Sequence, residues 1–331
     1  MRILLIKLGA RGDVLRSTSL LPAIHKKYPA SSLDWAVDPP SREILAGNPL
    51  INKIHTAIEN IDVKNYDLLI NLDEDERGCR LAAEAGSKEG FYINEGRIVS
   101  TPSFDYLWRS GIYGPRPEND RLKKKNRKTY QRLLFEALGL PGDPVPPSYS
   151  PSSEDMKEAD AFLNSDRKMS GPLAGINFSA SAVWPAKRLP IRRTEEIARA
   201  LEKEGYQVII FGAADEREEL GLLSERLGNA LIADSLPLGI FASLIKKSGV
   251  LISTDSFALH ISAAVGTPAL GLFGPTSAAE VELFSRKRKL TAPLDCVCCY
   301  RKKCVKKPFC MDMFTAEVVL TSLREEGLLT G

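Results

Sequence analysis

Thr254-Asp255-Ser256-Phe257-Ala258-Leu259-His260, followed by Pro268-Ala-Leu-Gly-Leu-Phe-Gly-Pro-Thr276, carries the residue types best suited to hold an anion. Asp255 and Ser256 belong to the oxygen-bearing types that begin helices, and the positions after them turn apolar at Leu259, Ile261, Ala263 and Ala264. A helix starting there leaves N–H groups and the positive end of its dipole facing the preceding loop, an arrangement that suits a diphosphate. His260 lies one turn in. Gly274-Pro275-Thr276 closes the next apolar run and reaches the same rim if the runs are parallel strands. An ordinary capped helix with a core histidine gives the same local pattern, so the rest of the chain has to decide between the two.

Three further groups can do chemistry. In Lys7-Leu-Gly-Ala-Arg-Gly-Asp13, Gly9 and Gly12 permit a tight turn or close approach to a ligand, flanked by Lys7 and Arg11. Asp13 stands near a helix start, where a carboxylate either caps the helix or takes a proton from a substrate hydroxyl. The third glycine of a dinucleotide fingerprint is missing. In Ser179-Ala-Ser-Ala-Val-Trp-Pro-Ala-Lys187, the lysine supplies a point charge for phosphate and Ser179 and Ser181 supply hydroxyls, although such a lysine is more often simply solvated. Between Cys296 and Cys310 lie five of the six cysteines. Cys296, Cys299, Cys304 and Cys310 form a candidate tetrahedral thiolate set, with structural zinc preferred over an iron–sulfur cluster, disulfides or free thiols. Cys79 reads as a small buried residue.

Apolar runs at Arg2–Leu8, Ser32–Val37, Tyr66–Leu72, Leu173–Phe178, Gln207–Phe211, Val250–Ser253 and Ala269–Phe273 position these groups. They alternate with amphipathic stretches, the pattern of parallel sheets with crossover helices. The chain of 331 residues, 44% hydrophobic and 26% charged, is long enough for two such cores. The proline-rich segment 140–151 marks the end of the first. We expect domains over 1–160 and 161–312, the latter with the cysteine-rich segment 296–310, and a helix within 313–331 capped by Thr315 and stopped by Gly327. The opening run is interrupted at Lys7 and reads as a strand rather than a signal peptide, and no run is long enough to span a bilayer, so a cytoplasmic protein is expected. A net charge of +3 is too small to argue for nucleic acid. The basic runs 121–128 and 286–289, with Arg301, Lys302, Lys303, Lys306 and Lys307, read as solvated loops, or as attraction to an anionic acceptor or to the inner membrane surface.

Taken in order, Ile3 to Leu15, Trp184-Pro-Ala-Lys-Arg-Leu-Pro190, Gln207 to Arg217 and Asp255 to Thr276 resemble glycosyltransferase family 9, the ADP-heptose:lipopolysaccharide heptosyltransferases, over nearly the whole length. The resemblance implies an α/β GT-B fold: two facing Rossmann-like domains with parallel sheets and a cleft between them, and a C-terminal helix over 313–331 returning to the first. It implies an inverting transfer that needs no metal for catalysis, from a nucleotide sugar to a lipid-linked or polysaccharide acceptor, at the cytoplasmic face of the inner membrane. On that pattern Asp13 is the general base and Lys7, Gly9, Arg11 and Gly12 form the acceptor loop. Lys187, Ser179, Asp255, Ser256, Phe257, His260, Gly274, Pro275 and Thr276 surround the donor. A transferase of the same fold using another nucleotide sugar, or a nucleotide-sugar epimerase, are the alternatives. Two departures stand out: Lys-x-Trp-Pro is here Lys187-Arg-Leu-Pro190, with the tryptophan at 184, and Phe257 replaces the common glycine, narrowing the donor mouth or giving it an apolar wall.

Overall fold

A computed structural model describes residues 1–115, 117–164, 171–284 and 286–329. The chain divides into two compact units, Met1–Tyr149 and Ser150–Gly331. Residues 165–170, in the stretch where the junction was expected, lie outside the described residues.

The first unit holds a six-stranded sheet built from β1 (Arg2–Ile6), β2 (Ser32–Ala36), β3 (Lys53–His55), β4 (Leu68–Asn71), β5 (Lys88–Asn94) and β6 (Arg97–Ser100). Its order is β3-β2-β1-β4-β5-β6, parallel except for the β5/β6 pair. Ile3 to Ile6 of β1 are fully buried, as expected of a central strand covered on both faces. The second unit repeats the plan with β7 (Leu173–Asn177), β8 (Gln207–Gly212), β9 (Leu231–Asp234), β10 (Val250–Thr254), β11 (Ala269–Phe273) and β12 (Lys287–Thr291). Here the order is β12-β11-β10-β7-β8-β9, all parallel. Both are Rossmann-like windings whose strand order reverses beside the first strand, and together they make the two-domain architecture of GT-B proteins.

All seven strands expected from the apolar runs are present, and five more had no such signal. β3, β9 and β12 are short or charged strands towards sheet edges, where pairing on one side suffices and polar residues are tolerated. Lys287 to Lys289 of the basic run 286–289 are accordingly part of β12 rather than a loop, and most of 121–128 lies in the helix Glu118–Lys125. The two units meet at Tyr149 and Ser150, within the proline-rich segment 140–151 and before the expected bound at residue 160. The helix Ser153–Asn164 packs on the helix Leu238–Lys247 so closely that a Cβ at Gly239 would stand 2.1 Å from the Asp155 carboxyl group. That helix therefore belongs to the second unit.

The terminal helix Ala316–Glu325 is capped by Thr315, whose hydroxyl accepts the Val318 N–H, and the chain turns at Gly327 with φ +58°. Its buried face, Val319, Leu320 and Leu323, joins Ile197 and Leu201 of the helix Ile191–Lys203. Its apolar stripe is thus satisfied within the second unit. No helix among the described residues is long and apolar enough to cross a membrane.

Candidate active site

In each unit candidate residues follow the two strands between which the winding reverses, joined in the second unit by Gly274, Pro275 and Thr276 after β11. The open edge there is where neighbouring crossover helices diverge and leave room for a ligand.

In the second unit these strands are β7 and β10. β10 ends at Thr254, Asp255 and Ser256 form the turn, and the helix Phe257–Val265 begins with Ser256 as its N-cap. The Ser256 hydroxyl makes no capping bond. It accepts instead from Asn177 Nδ2 at 3.0 Å and lies 3.1 Å from the Ser253 hydroxyl. The amides of the first helical turn are thus not capped by that side chain, and Asp255, Ser256 and Phe257 are only half-buried. His260 is 6% exposed one turn further in.

Asp255 gathers three loops at one oxygen. Its Oδ2 accepts from Lys187 Nζ at 2.8 Å and from the Thr276 hydroxyl at 2.7 Å, joining the segments after β7, β10 and β11. Burial pushes this carboxyl upward, but the charges of Lys187 and His260 and the bonds from Lys187 and Thr276 outweigh it, leaving Asp255 below the usual carboxylate range. A carboxylate so placed organises the loop rather than touching a phosphate, which it would repel. Lys187 also lies 5.2 Å from the Trp184 ring centroid, so the displaced tryptophan still flanks the lysine. The Ser179 carbonyl accepts from Thr254 Oγ1 at 2.6 Å and from Asn177 Nδ2 at 3.1 Å. Phe257 stacks on Phe241, which meets Phe211 edge-on, forming an apolar wall. Gly274 and Pro275 are buried, and their carbonyls accept from Cys298 N–H at 2.9 Å and Tyr300 N–H at 2.8 Å.

In the first unit the corresponding strands are β1 and β4. The helix Arg11–Ser17 follows β1 with Ala10 as its N-cap and no side-chain capping bond, so Asp13, although in the first turn, is not a cap. The Asp13 carboxylate is 35% exposed, with Arg16 paired to Oδ1 and Lys7 Nζ 4.0 Å from Oδ2. Arg16 in turn lies over the Tyr130 ring at 4.4 Å. Lys7 is buried, and its Nζ donates to Asp73 Oδ2 at 3.1 Å. The same oxygen accepts the amides of Leu8 at 2.9 Å and Gly9 at 3.3 Å. Burial would lower the lysine's pKa, yet the charges of Asp73, Tyr130 and Asp13 and the Asp73 hydrogen bond raise it, so Lys7 stays charged. The glycine turn after β1 therefore closes around a carboxylate of its own sheet. Arg11 pairs with Glu43 at 2.5 Å on the surface, and Gly12 lies inside the helix.

Asp73 and Asn177 are thus site residues that the sequence reading missed. The available signal was positional, since each is a polar residue at the C-terminal end of a buried run. Cys79, Cys296, Cys299, Cys304 and Cys310 take part in no disulfide. Cys296, Cys299, Cys304 and Cys310 line one small cavity, and Cys310 is pushed up to about 11 by burial and then by its neighbours Cys304, Cys299 and Cys296.

The family model described as glycosyltransferase family 9 (heptosyltransferase) matches residues 118–309. Lipopolysaccharide heptosyltransferase 1 of Pseudomonas aeruginosa is 24% identical over 325 residues, covering 93% of this chain and 88% of that protein. Among solved structures, a glycosyl transferase of family 9 from Veillonella parvula superposes with TM-score 0.75 at 19% identity, over 98% of this chain and 96% of that one. The E. coli ADP-heptose lps heptosyltransferase II gives TM-score 0.69 at 20% identity, over 98% of each.

Proposed function

Because the chain belongs to glycosyltransferase family 9 and is a glycosyltransferase, we propose that it moves heptose from ADP-heptose to a lipopolysaccharide or related surface-glycan acceptor with inversion at the anomeric carbon. The names of the Pseudomonas and E. coli relatives support the sugar and the acceptor class.

The observation that carries the reading is the junction at Asp255 beside a helix start whose N-cap side chain is turned elsewhere. Negative charge grows on the diphosphate as the glycosidic bond breaks, so groups fixed beside it stabilise the transition state more than the ground state. The amides of Ser256 and Phe257, the helix dipole and Lys187 supply that charge, and Thr276 steadies the lysine's partner. Phe257 and Phe241 provide an apolar surface for the base or sugar.

Asp13 is the general base. Flanked by Arg16 and Lys7, it starts as a carboxylate and accepts the proton of the attacking acceptor hydroxyl, which bonds to the anomeric carbon from the face opposite the diphosphate. Asp73 holds Lys7 and the turn before Asp13, acting as a positioning residue.

The test is acceptor-dependent release of ADP from ADP-heptose, with UDP- and GDP-sugars in parallel. Asp13→Asn should lower kcat by at least about a hundredfold with donor affinity nearly unchanged. Near-normal turnover in this variant removes Asp13 from the chemistry, and sugar interconversion without acceptor replaces transfer by epimerisation.

A further inference from the structure

The segment between Cys296 and Phe309 contains no helix or strand, and residues 301–308 are exposed, with Val305 91% exposed. Val297 and Phe309, near its ends, pack against the second unit's core, while the stretch between them adds no buried apolar side chain among the described residues. It is nevertheless tied to the two turns that shape the anion cradle: besides the bonds to Gly274 and Pro275, the Ala186 N–H donates to the Lys302 carbonyl at 3.1 Å, one residue before Lys187. Gly274 is pressed against the cysteines so tightly that a Cβ there would lie 2.5 Å from Cys310 Sγ.

Four cysteines, Ala186, Gly274 and Pro275 line the same cavity of about 20 Å³. A water-sized sphere needs roughly 10–15 Å³ of this measure, so the space is of the size of one ion. Arg301 and Lys306 stand in the same lining. Four thiolates around a divalent ion carry a net charge of about −2, which these two cations offset. Cys298 is not in the lining, and its amide is spent on Gly274.

We propose that Cys296, Cys299, Cys304 and Cys310 bind a single divalent ion, zinc by the softness and tetrahedral number of the donors, as a clamp behind the turns that carry Lys187 and Thr276. Among the described residues no group of three or more His, Cys, Asp or Glu side chains is arranged to hold a metal ion, so ion binding requires the four thiols to draw together. A segment without regular structure can make that adjustment. The ion supplies folding free energy to a stretch that has little other source of it. It takes no part in bond making or breaking. The clamp's effect on nucleotide rests on the donor-site reading above; metal content and stability do not.

The experiment uses the full chain purified without chelator, elemental analysis for zinc and iron, and replacement of the metal by Co²⁺. One zinc per chain and the intense visible bands of tetrahedral Co²⁺ thiolate are expected. Cys304→Ser should lose at least about tenfold in zinc affinity, while Cys298→Ser keeps it. Removing the ion should lower the melting temperature and weaken ADP binding at least about fivefold, an ordinary coupling between two sites. One iron in the same four-sulfur setting supports the site. Absence of bound metal after incubation with zinc, two or more irons per chain, or equal losses in Cys298→Ser and Cys304→Ser overturns it. Unchanged ADP affinity in folded, metal-free protein overturns the clamp alone.

Discussion

Lys187→Met removes the cation 2.8 Å from Asp255 Oδ2 while keeping most of the side chain's length. At an effective dielectric of roughly 20, unit charges at that separation attract by about 6 kcal/mol, a gross figure that the desolvation of both groups offsets in the intact pair. In the variant the attraction is gone, yet Asp255, whose side chain is 14% exposed, remains largely out of water. We expect a net loss of about 3 kcal/mol, the lower end for breaking a buried pair, because both side chains keep some solvent access. The pH dependence follows from the depressed Asp255 carboxyl. A group held below its unfolded value contributes stability that is fully present above that value and is lost as pH falls through the folded one. Removing Lys187 therefore costs most near neutrality and progressively less as pH falls, first because the unpaired, largely buried Asp255 of the variant takes a proton, and then, below the ordinary carboxylate range, because the wild-type pair is itself lost. Urea unfolding of the wild type, Lys187→Met, Asp255→Asn and the double variant at about pH 7 and about pH 4 measures this, with an expected coupling of about 2 kcal/mol at the higher pH. A penalty that does not change between the two pH values, or a coupling below about 0.5 kcal/mol, refutes the claim that this pair organises the cradle.

Two further outcomes are expected in the first unit. Asp73→Asn keeps an acceptor for the Leu8 and Gly9 amides but leaves buried Lys7 with Asp13 at 4.0 Å as its remaining carboxylate partner. Unfolding free energy should fall by about 2–4 kcal/mol and recover in part when Lys7→Met is added; an Asn variant as stable as wild type contradicts the assignment. Gly90 has φ +104°, and a Cβ there would lie 1.9 Å from the Asn71 carbonyl oxygen, a backbone atom that cannot swing away. Gly90→Ala should cost at least about 3 kcal/mol, read as a large fall in melting temperature, and a small change would show that β4 and β5 do not approach as described.

The sequence alone determined the elements whose signal is local. Buried central strands appear as unbroken apolar runs, so β1, β2, β4, β7, β8, β10 and β11 were legible, as were the start of the helix after Asp255, the Thr315 cap and the Gly327 stop. The family was legible because several such segments recur in one order. Edge strands such as β3 and β12 were not, because pairing on one side imposes little hydrophobic pattern. The proline-rich segment 140–151 marked the end of the first core, but not which unit takes the next helix, since Ser153–Asn164 shows an apolar face without saying which helix covers it. Tertiary structure alone decided the partners of the charged residues. Asp73 meets Lys7, and Asp255 meets Lys187 and Thr276, because the winding places β1 beside β4 and β7 between β8 and β10. Which strands become neighbours is a non-local outcome of packing, and a charge in sequence names its own sign but not the group that will answer it.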